Sequence, residues 1–123
     1  MQTREIITRY YEYANASNWD SWCDLFDPEM TMDEQLGGHV EGQATLRRMM
    51  SGFKNMYSTF QNIPQQLVID GDQAAVVSRI EAVSTSGKNI QARVMNYFRM
   101  RDGKIIYMSN FHDTVPFQAL TRV

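Results

Sequence analysis

Ile90-Gln91-Ala92-Arg93-Val94-Met95-Asn96-Tyr97-Phe98-Arg99-Met100 is the stretch around which the chain organises itself. Its side chains fall into two alternating rows, the period of two that marks a β-strand. The even row reads Ile90, Ala92, Val94, Asn96, Phe98, Met100, so a single amide interrupts an otherwise apolar face. A buried amide costs on the order of 1–3 kcal/mol unless something hydrogen-bonds it. Either a neighbouring polar group satisfies Asn96, or the row lines a cavity and Asn96 meets a ligand. After the turn Arg101-Asp102-Gly103-Lys104, the even residues are Ile106, Met108, Asn110 and His112, apolar first and then polar. Polar groups gathered at one end of an apolar surface are the usual make-up of a ligand pocket.

Two more extended segments precede this pair. Residues near 63–70, 74–84, 89–100 and 104–113 are separated by Asp70-Gly71-Asp72, Ser86-Gly87-Lys88 and Asp102-Gly103, which are tight-turn signals. Consecutive hairpins of this kind predict an antiparallel meander. The first half of the chain is helical. Ile6, Ile7, Tyr10, Tyr13 and Ala14 recur at helical spacing and predict a helix over residues 2–16. Trp19, Trp22, Cys23 and Phe26 stripe a short second helix, which Asp27-Pro28 ends. Met30-Thr31-Met32-Asp33-Glu34 reads as a short strand running into the loop 36–42. A third helix then carries Leu46, Met49, Met50, Phe53 and Tyr57 on one face. Helices first and strands afterwards predict an α+β fold, with three helices packed on a curved, mainly antiparallel sheet.

At 123 residues, with 43% hydrophobic and 21% charged content, the chain is expected to be one domain over residues 1–123 with a core of its own. Net charge is −2, and acids and bases are interleaved with no basic stripe, which argues against nucleic-acid binding. A lone Cys23 has no internal disulfide partner. The opening MQTREIITRYYEY lacks a continuous apolar region and no run approaches membrane-spanning length, so a cytoplasmic setting away from membranes is expected. Two histidines and one cysteine, far apart, give no metal-ligand spacing, and no Gly-rich loop sits between a strand and a helix. Neither a metal nor a cofactor is expected. Nine methionines fit adaptable apolar packing.

The odd row of the sheet includes Arg79, Glu81, Arg93, Met95, Tyr97, Arg99, Tyr107 and Phe111. Aromatics, Met and Arg together match the composition of protein interfaces and predict a homodimer through this outer face. The other reading of the same row is an amphipathic outer sheet with arginine stems laid across it.

The order of elements resembles a known family. A helix with Arg9-Tyr10, a Trp-containing turn, a strand ending in Asp33-Glu34, a helix opened by Gly42-Gln43-Ala44-Thr45-Leu46, and a meander closing with Asn96-Tyr97-Phe98-Arg99 and Gly103-Lys104-Ile105 resemble the nuclear-transport-factor-2-like superfamily. Within it, the chain looks most like the SnoaL-like and ketosteroid-isomerase-like branch. The resemblance implies a cone-shaped roll enclosing a pocket. It also implies roles. Tyr10 would donate to a substrate oxygen, Asn96 would be a second donor where ketosteroid isomerases have a protonated aspartate, and a carboxylate before the Gly-initiated helix would be the general base. Counting back from Gly42 places Asp33 there, while counting forward from Tyr10 places Glu34; only one of two neighbours in a strand faces a cavity, and Asp33 is favoured. His112 falls where the family has a large pocket-lining side chain.

Several candidates carry an ordinary structural reading as well. Tyr10 lies on the apolar stripe of its helix, Asp33 at a turn, and His112 at a strand end. Histidine titrates near neutrality and suits proton transfer. Asn110, Met108, Phe98, Val94, Trp22, Met50 and Phe53 are expected to line the pocket, with His39 in the loop at its mouth. Two functions fit. One is a cofactor-free isomerase, cyclase or dehydratase in which Asp33 takes a proton beside a carbonyl, Tyr10 and Asn96 stabilise the enolate oxygen, and His112 returns the proton or orients the base. The other is a non-catalytic domain that binds a small apolar molecule or pairs with a second copy. A transport adaptor would need a surface groove that nothing in the sequence marks.

Overall fold

A computed structural model describes residues 2–120; the ends of the expected 1–123 domain, residues 1 and 121–123, lie outside the described residues. The order is α1 (Thr3–Asn15), α2 (Trp19–Asp24), β1 (Phe26–Glu34), β2 (Gly38–Glu41), α3 (Gln43–Phe53), β3 (Tyr57–Asp70), β4 (Gln73–Ser84), β5 (Asn89–Arg101) and β6 (Lys104–His112), followed by a short 3-10 turn at Val115–Leu120. The six strands make one sheet in the order β2-β1-β6-β5-β4-β3. All neighbours are antiparallel except β1 and β6, which run parallel with Met32 beside Met108 and Asp33 beside Ser109. The sheet does not close: β2 and β3 are its two edges. This is the α+β architecture expected, three helices on a curved and mostly antiparallel sheet.

Burial along β5 alternates from Asn89 to Arg101, as the even-row reading requires. Sharp reversals join the strands. At the β5–β6 hairpin, Asp102 and Gly103 both adopt positive φ (52° and 78°), the conformation that a two-residue hairpin turn with matching twist demands. Gly42 takes φ 88° immediately before α3, where a side chain would be strained, and its N–H bonds Met30 O at 2.8 Å. That pins the start of α3 to β1.

The core is divided. One apolar cluster packs α1, α2 and α3 over the β1, β5 and β6 side, with Ile6, Phe26, Leu46, Phe98 and Ile105 fully buried or nearly so. A second, smaller one gathers Tyr57, Ile80, Ile90, Val94 and Phe117 around the 3-10 turn. The space between them is the cavity described below.

Edge strand β3 is protected by a side chain. Asn15, the last residue of α1, donates from Nδ2 to Asn62 O at 2.9 Å, and its Oδ1 accepts from Asn62 N at 2.6 Å. The amide thus stands in for one rung of a β-ladder where no further strand pairs. Asn15→Ala leaves both backbone groups to find water and is expected to lower the unfolding free energy by about 1–3 kcal/mol in urea denaturation.

Four expectations are corrected here. The loop 36–42 contains strand β2, which exists because Gly38–Glu41 pairs with Thr31–Glu34 of β1. Tyr57 begins β3 rather than ending the third helix, which stops at Phe53. Ile105, not Ile106, is the fully buried residue early in β6, because the ladder shifts register between Arg99 and Met100. Phe98 belongs to the solid core: it has no exposed surface, and its ring meets Tyr10 edge-on with centroids 4.9 Å apart.

Candidate functional site

Between the two apolar clusters lies a cavity of about 370 Å³. Helices supply Tyr10, Trp19, Trp22, Leu46, Met50 and Phe53, and the sheet supplies Met32, Val94 and Met108 among others. Five of the nine methionines (Met32, Met49, Met50, Met56 and Met108) line it. At the far end, Trp19, Phe53, Tyr57 and Phe60 form a nest of edge-on and tilted rings with centroids 4.8–6.0 Å apart. Such walls suit a flat apolar guest.

Polar groups enter from a corner formed by β1, β5 and β6. Asn96 lies opposite Asn110 in the ladder, and Val94 lies opposite His112, so these side chains share one face. Asn96 is buried and donates from Nδ2 to the Tyr11 hydroxyl at 2.9 Å. The amide therefore has a structural partner in α1, and Asn96 also borders the cavity. Burial pushes the Tyr11 hydroxyl up to about 12. Asn110 joins two strands: Nδ2 donates to Glu34 Oε1 at 3.3 Å, and Oδ1 accepts from the Gln35 N–H at 3.0 Å. Glu34 Oε2 accepts from Leu36 N–H at 2.8 Å and from Gly37 N–H. The carboxylate thus fastens the β1–β2 turn, which brings Leu36 and Gly37 to the cavity rim.

Tyr10 lines the cavity and is only 5% exposed. Burial raises its hydroxyl well above the ordinary tyrosine value, Tyr11 and Glu34 add to the rise, and the Trp22 indole acts the other way. It stays neutral and able to donate across the physiological range. His112 also borders the cavity. Its Nδ1 lies 2.8 Å from the Asp113 carbonyl and its ring packs on Phe117 with centroids 4.9 Å apart. A carbonyl only accepts, so Nδ1 carries a proton, and in the neutral ring the lone pair sits on Nε2.

Asp33 does not join them. It points from the opposite face of β1, where its side chain is 53% exposed. There Oδ1 accepts from His39 Nδ1 at 2.7 Å and Oδ2 from the Tyr107 hydroxyl at 2.7 Å. His39 is likewise not at the cavity mouth but on β2, bridging Asp33 and Glu41, with Nε2 3.2 Å from Glu41 Oε1. Of the side chains expected in the site, Tyr10, Asn96, His112, Asn110, Met108, Val94, Trp22, Met50 and Phe53 line one cavity, whereas Asp33 and Phe98 do not. Glu34 takes the place assigned to Asp33. The signal was strand parity: Met30, Met32 and Glu34 lie on one face and Asp33 on the other. Tyr57, Phe60, Asn62 and Phe117 were not anticipated, because their elements reach the cavity only through the curvature of the sheet and the 3-10 turn.

The outer cluster has a pH dependence of its own. The hydrogen bonds from His39 and Tyr107 hold the Asp33 carboxyl below its ordinary value of 3.8. Asp33, then Glu41, hold the His39 imidazole above 6.5. A lowered carboxyl contributes stability that is present above its unfolded value and lost as pH falls through its folded one. A raised imidazole contributes stability that is full below its unfolded value and lost as pH rises through its folded one. The cluster therefore helps most between about pH 4 and 6.5 and fades on the alkaline side. Wild type is expected to exceed His39→Asn in Tm by a small margin at about pH 5.5, shrinking by about pH 8.5.

Among the described residues, no three His, Cys, Asp or Glu side chains converge as a metal site, and no helix is long and apolar enough to cross a membrane. No functionally curated protein matches the chain. Solved structures do. TerC, co-crystallised with polyporic acid, superposes with a TM-score of 0.84 at 22% identity, covering 96% of each chain. A nuclear-transport-factor-2-like protein of unknown function from Burkholderia pseudomallei gives 0.89 at 12% identity over 98% of each. IdmH from Streptomyces antibioticus, a candidate polyketide cyclase, gives 0.81 at 18% identity over the whole of both chains. At such identities these likenesses establish the fold, which is nuclear-transport-factor-2-like. The SnoaL-like domain model matches residues 7–108, most of the chain and every strand up to β6. By that match this protein belongs to the SnoaL-like domain family.

Proposed function

We propose that the cavity binds a small, flat, apolar molecule carrying a carbonyl or hydroxyl, and that the protein moves a proton beside that carbonyl without a cofactor, as an isomerase, cyclase or dehydratase does. The observation that carries this reading is the hollow itself, about 370 Å³ with apolar walls and the Glu34, Asn110 and His112 side chains at one corner. In the proposed chemistry His112 Nε2 takes a proton from the carbon next to the carbonyl. The C–H electron pair moves to the carbonyl oxygen, and the Tyr10 hydroxyl donates to the developing enolate. The imidazolium then returns the proton to carbon. Glu34 anchors Asn110 and the rim turn rather than acting as the base, since backbone N–H groups and Asn110 take three of its four lone-pair sites.

A second reading, a non-catalytic binder, draws on those same bonds: Asn96 and Glu34 are both engaged by the protein's own groups. Hydrogen exchange separates the two. β-Tetralone in heavy water, followed by NMR, is expected to exchange its α-protons faster with wild type and at the uncatalysed rate with His112→Gln. Binding without acceleration, seen as a ligand-dependent rise in Tm, supports the binder. Absence of any Tm rise across flat aromatic ketones overturns both readings.

We propose, further, a homodimer and a reducing setting. Met95 and Phe111 are exposed on the outer sheet face among Tyr97, Tyr107 and Arg99, a composition that favours pairing with a second copy. A single, buried, unpaired Cys23 favours a reducing, cytoplasmic setting.

A further inference from the structure

The mouth of the cavity is built from methionine. Among the described residues, the exposed methionines are Met49, Met56 and Met95, at 43%, 40% and 39%. Met49 and Met56 line the cavity, whereas Met95 lies on the outer sheet face. Leu36, also exposed, lines the cavity from the β1–β2 turn. The mouth is therefore the gap between that turn and the C-terminal half of α3.

Gly37 shows how the gap is closed. Its φ is negative, so glycine is not needed there for backbone conformation. Space is the reason for it. A Cβ added at Gly37 would lie 3.1 Å from the Met49 methyl and 3.0 Å from Glu34 Oε2. The Met49 thioether thus reaches from α3 across the mouth and rests on the turn. It sits beside the carboxylate that accepts from the Leu36 and Gly37 N–H groups. Leu46 is the one buried residue of α3, so few other contacts hold this helix in place.

From this we propose that Met49 is a redox-sensitive clasp on the cavity mouth: a peroxide oxidises its sulfur to the sulfoxide, the clasp releases, and the rim turn loosens. The step is a two-electron oxygen transfer. A sulfur lone pair attacks one peroxide oxygen, the O–O bond breaks and an S–O bond forms. The departing hydroxide takes the proton left on the transferred oxygen and leaves as water. Sulfoxide reductases reverse the change. A thioether suits an apolar, adaptable contact, and a sulfoxide does not. The new oxygen carries partial negative charge and would face Glu34 Oε2 over the turn, so packing there costs both desolvation and repulsion. The side chain swings out to water instead. Exposure selects the sulfur that reacts: Met32 and Met108 belong to the same wall but are 5% and 3% exposed. The effect on a guest rests on the cavity being a ligand site; the effect on the turn does not.

The test treats ligand-free protein with dilute hydrogen peroxide. Peptide mass spectrometry locates the sulfoxide, hydrogen exchange follows the amides of residues 35–38, and calorimetry reads β-tetralone affinity. Met49 is expected to oxidise at least about tenfold faster than Met32 or Met108. Exchange at the turn should then rise about fivefold and β-tetralone should bind about fivefold more weakly, both restored by methionine sulfoxide reductases. Met49→Leu fills the same place without an oxidisable sulfur and should show neither change after peroxide, whereas Met56→Leu should respond as wild type does. Oxidation of Met32 as fast as Met49, equal changes in wild type and Met49→Leu, or unchanged turn exchange in the oxidised wild type would each overturn the clasp. Failure of β-tetralone to bind untreated protein would count against the cavity as a ligand site, and turn exchange would then decide the clasp alone.

Discussion

Phe98→Ala is expected to lower the unfolding free energy by about 3–5 kcal/mol, enough to endanger the fold of a domain this size. Phe98 is fully buried and packs edge-on against Tyr10, whose other face looks into the cavity. The deletion leaves a void directly behind the cavity wall, where Tyr10 would sag backwards. Urea denaturation measures the loss. A cost under about 1 kcal/mol would mean that the ring already borders open space and belongs to the pocket surface instead.

Glu34→Ala carries the second large effect. It removes the acceptor for the Leu36 and Gly37 N–H groups and for Asn110 Nδ2 together. Bonds to a charged acceptor contribute about 1.5–3 kcal/mol, so a stability loss of that order is expected. The rim turn also loses its anchor, and β-tetralone should bind at least about tenfold more weakly, a change near 1.4 kcal/mol. Asp33→Ala, one residue away on the opposite face, should leave that affinity within about twofold and alter only the pH profile of stability. Calorimetry on the two variants decides between them. The reverse pattern would place the working carboxylate on the outer face.

Most of the architecture was legible because β4, β5 and their turns state it locally. Alternation over Asn89–Arg101 and the Asp102-Gly103 turn need only nearest neighbours to be read. The cavity was legible in outline for the same reason: an amide in an apolar row demands a partner. Its partner was not legible, since Tyr11 lies 85 positions away and reaches Asn96 only because α1 crosses the sheet. One even row on β5 serves three settings. Val94 and Asn96 face the cavity, Phe98 and Met100 lie in the large cluster, and Ile90 and Ala92 lie in the small one. Helix α1 and the 3-10 turn impose those differences from outside the strand. Strand β2 is not legible in the sequence because four residues led by glycine have little β-propensity of their own, and pairing with β1 makes the strand. Glu34, not Asp33, belongs on the cavity face of β1. Parity with Met30 and Met32 fixes the face, whereas counting residues from a distant glycine assumes a loop length that β2 does not keep.

Methionine-methyl NMR offers the most direct test that this hollow is where a guest resides. With β-tetralone added to protein carrying labelled methionines, shifts are expected at Met32, Met49, Met50, Met56 and Met108, which line it. Met30 and Met100, packed in the solid core, and Met95, on the outer sheet face, should stay in place. A saturating change confined to Met95, or no change at any of the five lining methyls, would contradict it.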